Sequence, residues 1–307
     1  EEASISNSYQ LYIKSNYLIE YEKALENAAN FHYQKGIDLM LYKDKRKYKL
    51  AYNEFILSNQ YQDNYRESEK HIEECKKKSI FNITIMDFEN NSNDKYENLG
   101  SSISNKLSSE LSKIESFNEF VDILDRKKMN TIIEQLKLSN SGLIEDQKIE
   151  MGKIKDIDHI ITGDINKIII NEPKHTYDRI KIQHQVQIGE NIIINEDSTE
   201  TVEPEYGIYL KYIKKHQMQA SVSIELFLEI IEVETSEIIN SEIFNSEILY
   251  TDKWTTGLDG IYPVDYAISI LKNQTSKKTN PSTEDMLQKA TSEINKKMKN
   301  HLTEFYK

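Results

Sequence analysis

The stretch Ser-Ile-Phe-Asn-Ile-Thr-Ile-Met-Asp-Phe-Glu-Asn at residues 79–90 marks a change from helical to extended structure. Within it, Phe81, Ile83 and Ile85 occupy every second position, and this period of two predicts a half-buried strand. Upstream, apolar residues recur at helical spacing from residue 10 to residue 78, and no proline interrupts them. The change of period predicts two units: an all-α segment over residues 1–78 and a mixed α and β domain over residues 79–307.

The helical segment resembles a tetratricopeptide (TPR-like) hairpin. Gly36 is a small residue on one predicted helix, and Ala51 and Phe55 follow one turn apart on the next. The pattern is degenerate, because His32 stands at an aromatic position and the turn carries extra residues at 43–47. A third helix is predicted over about residues 64–72. At most two imperfect repeats fit, whereas ~3 are usually needed for stability, so we expect the segment to pack on the second unit or on a neighbouring subunit.

The second unit begins with alternating strands and helices. Its predicted elements are a strand at 81–86, an amphipathic helix at 99–114, a strand at 120–124, helices near 126–136 and 146–155, and an apolar strand at 159–170 that is interrupted at 162–164. This order predicts a sheet that is packed by helices.

Long strands dominate the rest of the unit. Apolar and polar side chains alternate over 179–188, an acidic loop covers 195–205, and an extended stretch covers 206–233. A turn at Thr235-Ser236 leads to a return strand over 238–250, and a helix is predicted over about 283–305. We expect an α/β (α+β) domain with a mixed sheet packed by helices and a long β-hairpin extension over about 171–218.

Composition and charge exclude some functions. Of the 307 residues, 38% are hydrophobic and 29% are charged, which is enough apolar material for a core. The formal net charge is -12, the opposite of the basic balance that suits nucleic acid, so no nucleic-acid partner is expected. The basic run at 43–49 is interpreted as a solvated helix start. Cys75 is the single cysteine, which excludes an intramolecular disulfide.

No catalytic or cofactor-binding motif is present in the sequence. The glycines form no phosphate-binding loop, no serine lies in a Gly-x-Ser-x-Gly elbow, and the 7 histidines lack metal-ligand spacing. Asp87, Asp125 and Asp164 each end a predicted strand and could align carboxylates at one edge of the sheet, although strand-end and helix-cap roles are simpler. We expect a non-enzymatic protein with no cofactor and no metal.

Several motifs of the second unit follow one another in an informative order. They are residues 81–90, Leu99-Gly100 at the start of a helix, the strand that ends in Asp125-Arg126, then Glu134-Gln135 and Ser141-Gly142, residues 158–165, and the hairpin of residues 220–233 and 238–244. In this order and spacing they resemble the curli production assembly and transport (CsgG-like) family of bacterial envelope proteins.

The resemblance implies an exported domain at the periplasmic face of the outer membrane, which forms homo-oligomers such as rings and is often anchored by a lipidated cysteine. In the family's secretion channels, two hairpins per subunit combine into a pore, whereas related domains activate peptidoglycan synthases or assist flagella. Here the first hairpin is present at 177–188 and 206–218, but the space at 247–264 is short for a second. The numbered chain lacks the anchor cysteine and begins at Glu1, and we expect an export signal upstream.

Two functions remain open from the sequence. One is an oligomeric envelope assembly, secretion or scaffold subunit, whose partners are copies of itself and other envelope proteins. The other is a soluble periplasmic module that regulates another envelope machine through the hairpin. In both, the candidate interaction residues are Tyr177, Ile180, Ile182, Val186, Tyr206, Tyr209, Tyr212 and Trp254. Trp254 either forms an exposed contact patch with Tyr250 and Tyr262 or packs against the sheet.

Overall fold

The computed structural model describes residues 15–92, 94–124, 157–259 and 277–307. The helices are α1 (Ser15–Met40), α2 (Lys45–Tyr61), α3 (Ser68–Lys78), α4 (Leu99–Leu111), α5 (Glu115–Asn118) and α6 (Thr283–Phe305). The strands are β1 (Phe81–Ile85), β2 (Glu89–Asn90), β3 (Val121–Ile123), β4 (His159–Ile194), β5 (Glu200–Glu232) and β6 (Ile238–Asp259). The helices predicted near 126–136 and 146–155 lie outside the described residues.

The strands form one mixed sheet in the order β3-β1-β4-β5-β6, and β2 pairs with β4. Strand β1 runs parallel to both β3 and β4, and β2 is also parallel to β4, whereas β5 runs antiparallel to both β4 and β6. A mixed sheet with helices against it confirms the predicted α+β class. The C-terminal helix has the predicted bounds, and it begins at a capping box in which Ser282 and Asp285 satisfy each other's backbone N–H groups.

The main core lies between the sheet and the two helices α4 and α6. Leu107 and Leu111 on α4, and Ile294 and Leu302 on α6, are fully buried at helical spacing. On β5 the period is two, so every second residue from Met218 to Ile230 is buried while its neighbours are more exposed. The helices and the strand therefore bury their apolar side chains in the same layer.

Phe88 packs into a notch between two glycines, Gly100 and Gly163. A Cβ atom on Gly163 would lie 3.0 Å from the Phe88 ring, and one on Gly100 would lie 2.0 Å from the Phe88 carbonyl oxygen. Gly163 remains within β4, because the sheet pairing continues through it. The predicted interruption at 162–164 is therefore wrong, since the glycine there makes space for Phe88 instead of ending the strand.

The helical segment has the predicted close crossing. A Cβ atom on Gly36 would lie 2.7 Å from the ring of Phe55, so the two helices approach as closely as the sequence indicates. Two boundaries differ from the prediction. Residues 45–47 belong to α2 and not to an enlarged turn, and α3 begins at Ser68 because Asn64 and Arg66 have positive φ angles, which form a turn.

The basic run at the start of α2 connects the helical segment to the sheet. Lys45 Nζ donates to the Ile80 carbonyl at 2.7 Å and to Asp158 Oδ2 at 2.6 Å, and Lys49 Nζ donates to the Tyr306 carbonyl at 2.8 Å. The interpretation of this run as a solvated helix start is therefore wrong for these two lysines. Of the two packing partners that were expected, the second unit and a neighbouring subunit, the structure shows contacts with the second unit.

Candidate interaction surface

Three strands extend beyond the helices as a ribbon, here called the arm: residues 175–218 of β4 and β5 with residues 252–259 of β6. Strand β4 continues for roughly 20 residues past His175, which corresponds to ~65 Å at ~3.3 Å per residue. The arm is thus the predicted hairpin extension, but its strands run without a break from the core. It also contains the end of β6, which was predicted to stop at residue 250.

An aromatic row crosses the inner end of the arm and contains His175 and Tyr177 from β4, His216 from β5 and Trp254 from β6. Tyr177 lies opposite His216, and His216 lies opposite Trp254, so the three residues share a face of the ribbon. The His216 and Trp254 rings stack with centroids 5.0 Å apart, and His175 stacks on Trp254 at 5.2 Å. This row ties the three strands together where they leave the core.

The two histidines of this row are coupled to each other. His175 Nε2 and His216 Nδ1 are 2.9 Å apart, so one neutral ring donates to the other, and His216 Nε2 contacts the Thr256 hydroxyl. Burial, followed by the charges of His175 and Lys214, lowers the pKa of His216. The arrangement favours a neutral His216 ring, and within the described ranges no group of three His, Cys, Asp or Glu residues is arranged to hold a metal ion.

Trp254 differs from the other candidate residues because it is only 8% exposed. The two histidine rings stack on it, the Lys277 ammonium group lies 5.6 Å from its ring centroid, and the backbone N–H of Lys278 donates to Asp252 two residues earlier on β6. The exposed-patch interpretation of Trp254 is wrong, and its alternative, packing against the sheet, is confirmed. Tyr262 lies outside the described residues.

The remaining candidate residues all lie on the hairpin, on both of its faces. Tyr206 and Tyr212 lie opposite Gln187 and Lys181, on the same face as Tyr177. Ile180 and Val186 lie opposite Ile213 and Gly207 on the other face, and Ile182 and Tyr209 occupy β4 and β5 opposite Lys211 and His184. The candidate residues therefore lie on the predicted hairpin, and the alternation predicted over 179–188 gives the faces of the β4 residues but not those of the β5 tyrosines.

The outer end of the arm is apolar and exposed. A short turn at residues 195–199 connects β4 to β5, so the predicted acidic loop at 195–205 is too long and its second half is strand. The exposed apolar residues near this turn, with their exposed fractions, are Ile188 (51%), Ile192 (63%), Ile194 (72%), Val202 (54%), Tyr206 (57%) and Ile208 (67%). An apolar cluster of this kind, rimmed by acidic residues, is typical of a contact surface.

The edges of the arm are open over the described residues. Strand β1 pairs with β4 only at residues 159–161, and β2 pairs with it only at residues 164–165. From Lys167 to Ile194 the outer side of β4 therefore has no neighbouring strand in the described part of the chain, and the outer side of β6 has none either. Unpaired strand edges present backbone donors and acceptors to any further strand.

Two further features of the described residues are the strand-end acids and a pocket beside the aromatic row. Asp164 accepts a long hydrogen bond of 3.4 Å from Asn91, and Asp125 lies outside the described residues. A shallow pocket of ≈ 250 Å³ beside the aromatic row is lined by Tyr177, Lys215 and Trp254 among others. None of the described helices is both long and apolar enough to cross a membrane.

Comparison with known proteins gives little further information. No family model matches the chain, and no curated protein matches it. Among solved structures, a neuraminyllactose-binding hemagglutinin homolog from Helicobacter pylori aligns with a TM-score of 0.27 and 12% identity over 73% of this chain and 91% of that one. A hypothetical protein from Chlamydia trachomatis aligns with a TM-score of 0.22 and 9% identity over 54% and 71%. Both TM-scores are low, and no inference rests on them.

Sequence reasoning missed His175 and His216 as members of the arm's aromatic row. The two residues are 41 positions apart, and only the hairpin register brings them together. The turn at 195–199 sets the register near the end of the arm, and a register shift between Gln187 and Gly189 changes it by one residue, so both features are needed to pair Tyr177 with His216. The spacing of histidines along the chain contains no such signal.

Proposed function

We propose that this protein is a non-enzymatic subunit of a bacterial cell-envelope assembly, exported to the periplasmic face of the outer membrane, and that it forms homo-oligomers through its arm. The observation that supports the proposal best is the arm itself, which is long, exposed, apolar near its end and open along its edges. The order of CsgG-like motifs in the sequence points to the same class of protein.

The open edges support self-association on physical grounds. A long strand edge without a neighbour invites pairing with another chain, and soluble proteins usually shorten, cover or charge such edges. The β4 edge from Lys167 to Ile194 is neither short nor covered by any described element. In an oligomer a second copy would pair with this edge and satisfy its backbone groups.

The helical segment suits the docking of other envelope proteins, in the manner of a TPR-like hairpin. The start of α2 is fixed to the second unit, because Lys45 and Lys49 form hydrogen bonds with it. The outer half of α1 exposes Tyr17, Leu18 and Tyr21, apolar side chains that no described element covers. We assign partner contacts to this region.

A second candidate function is a soluble periplasmic module that regulates another envelope machine. The exposed charges on the inner part of the arm favour this second function. Arg179, Lys181 and Lys214 suit a water-exposed contact better than a membrane-embedded one. In this case the arm would bind a different protein, and the chain itself would remain monomeric.

Shortening the arm distinguishes these two functions. Arg179 and Lys214 are directly opposed, so replacing residues 180–213 with Asn-Gly closes the hairpin with a two-residue turn. Loss of oligomers in sedimentation velocity, with helix content unchanged by circular dichroism, supports the assembly subunit. A full-length chain that stays monomeric at high concentration refutes it, and loss of partner binding by the shortened monomer then supports the regulator.

A further inference from the structure

The outer part of the arm has two strand edges, and one of them is protected. Beyond the end of β6 only β4 and β5 remain, and β5 over residues 200–211 pairs with no described strand other than β4. Proline and charged side chains are the usual means by which a strand edge is kept from pairing with another chain. The β5 edge contains one proline and three acidic residues: Pro204, Glu200, Glu203 and Glu205.

The β4 edge of the same ribbon lacks this protection over residues 181–187. The segment reads Lys-Ile-Gln-His-Gln-Val-Gln, with no proline, and only its lysine and its histidine can carry a charge. Its pairing with β5 is regular, because the nearest register shifts lie between Asn171 and Lys174 and between Gln187 and Gly189. A regular edge of seven residues is therefore open to a further strand on the outer side of β4. We call residues 181–187 the symmetric segment.

The symmetric segment has nearly the same sequence in both directions from its centre, His184. Three pairs of residues lie at equal distances from that centre: Gln183 with Gln185, Ile182 with Val186, and Lys181 with Gln187. When two copies of a strand pair antiparallel about one residue, positions at equal distances from it lie directly opposite each other. Two symmetric segments would thus pair β-branched with β-branched positions and polar with polar ones, and the lysine would meet no like charge.

Other registers match the residue types less well. A centre at Gln183 would place His184 opposite Ile182. A centre at Gln185 would place His184 opposite Val186. A centre between two residues would place the apolar positions of one strand opposite polar positions of the other, because side chains alternate between the faces. The register centred on His184 is the one in which the apolar positions of the segment meet each other.

We propose that residues 181–187 of β4 pair antiparallel with the same residues of a second copy of this chain, about a two-fold axis at His184. The inference rests on the self-association that is proposed above, and it specifies the edge and the register. The contact uses the same surface on both copies, as two-fold interfaces do. The two cores would lie at opposite ends of the joined ribbon, each ~60 Å from the axis at ~3.3 Å per residue, so the long arm keeps them apart.

Single cysteines with a short bismaleimide crosslinker test the register. His184→Cys should crosslink to its own copy, because directly opposite Cβ atoms are ~5 Å apart. Lys181→Cys alone and Gln187→Cys alone should not crosslink, since each position would be ~20 Å from its own copy. A mixture of these two variants should crosslink, because position 181 then lies opposite position 187. The unchanged protein is the control, since its Cys75 is buried.

Charge changes on the same edge provide a second test without a crosslinker. A variant with Gln183→Lys and Gln185→Lys places two pairs of lysines opposite each other, so its dissociation constant in sedimentation velocity should rise at least ~10-fold. A variant with Gln183→Glu and Gln185→Glu should be weakened in the same way. An equimolar mixture of the two variants places lysine opposite glutamate, and association should return in it.

Matched controls carry the same changes on the middle strand of the arm. Gln217 and Gln219 are also two residues apart, and β5 pairs there with both β4 and β6, so these positions have no open edge. Changing both to lysine, or both to glutamate, should leave the dissociation constant within ~2-fold of that of the unchanged protein. Circular dichroism spectra confirm that each variant is folded.

The outcomes separate this inference from the proposed function. If the unchanged protein associates, but His184→Cys does not crosslink or the mixed charge variants do not recover, pairing at this edge is wrong and self-association by another surface stands. Equal weakening of the controls would also refute pairing at this edge. If the unchanged protein remains monomeric over the whole concentration range, the proposed assembly function fails together with this inference.

Discussion

Replacing Gly100 with alanine should destabilise the domain, although alanine is the better helix former. The added Cβ would lie 2.0 Å from the carbonyl oxygen of Phe88 and 2.7 Å from its carbonyl carbon, whereas ordinary contacts are 3.4–4 Å. A backbone carbonyl cannot rotate away as the end of a side chain can. Either α4 or the chain at Phe88 must therefore move by more than ~1 Å, and Phe88 is itself held against Gly163.

The expected net cost is about 2 kcal/mol. Overpacking of a core costs ~1–3 kcal/mol, and the backbone contact here belongs at or above the upper end of that range, while alanine regains at most ~1 kcal/mol of helix propensity. Urea unfolding followed by circular dichroism measures the difference in free energy of unfolding. Ser102→Ala, at an exposed position of the same helix, should change it by less than ~0.5 kcal/mol. If Gly100→Ala is as stable as the control, the packing of Phe88 between two glycines is wrong.

Three further predictions concern buried groups. Burial lowers the pKa of His159, whose Nδ1 lies 2.8 Å from the Tyr306 hydroxyl, so the unfolded state binds more protons and stability should fall as pH drops below 6.5. Urea midpoints between pH 7.5 and 5 should show this fall, and His159→Gln should reduce it; an unchanged slope would contradict the assignment. Burial raises the pKa of the Cys75 thiol to about 11, so a thiol reagent should react slowly with the native protein and rapidly in urea, and equal rates would contradict its burial. Trp254, the only tryptophan, should resist quenching by acrylamide, and strong quenching would show that it is exposed.

The elements that the sequence predicted well are those that obey one period over their whole length. The alternation of Phe81, Ile83 and Ile85 predicted β1, and the spacing of Leu287, Ile294 and Leu302 belongs to a helix whose bounds were predicted correctly. In each case a single apolar face packs on the core, so pattern and structure have the same cause.

The failures occur where a distant contact decides the local structure. Gly163 was interpreted as an interruption of the strand. In the structure the strand continues through it, and glycine is needed there because the ring of Phe88 leaves no space for a side chain. Residues 200–205 read as an acidic loop, yet they pair with β4; Pro204 is tolerated there because β5 has no second neighbouring strand at that point among the described residues. Residues 251–259 are too polar to predict a strand, and they are extended because β5 is beside them.

For the arm, too, the sequence failed where contacts between distant residues decide the structure. The alternation over 179–188 predicted a strand, and the hairpin that contains it was predicted with the help of the family resemblance. The sequence could not pair Tyr177 with His216, nor bury Trp254 under His175 and His216, because those relations depend on the register between strands.

Hydrogen–deuterium exchange at two protein concentrations tests most directly whether the arm is a contact between copies. Peptides that cover residues 176–213 should exchange at least ~10-fold more slowly at high concentration than at low concentration, because association covers the ribbon and its edges. Peptides from the core, such as those of α6, should exchange equally in both samples. Equal exchange of the arm at both concentrations, in a sample that sediments as an oligomer, would show that the copies meet elsewhere and would contradict the account.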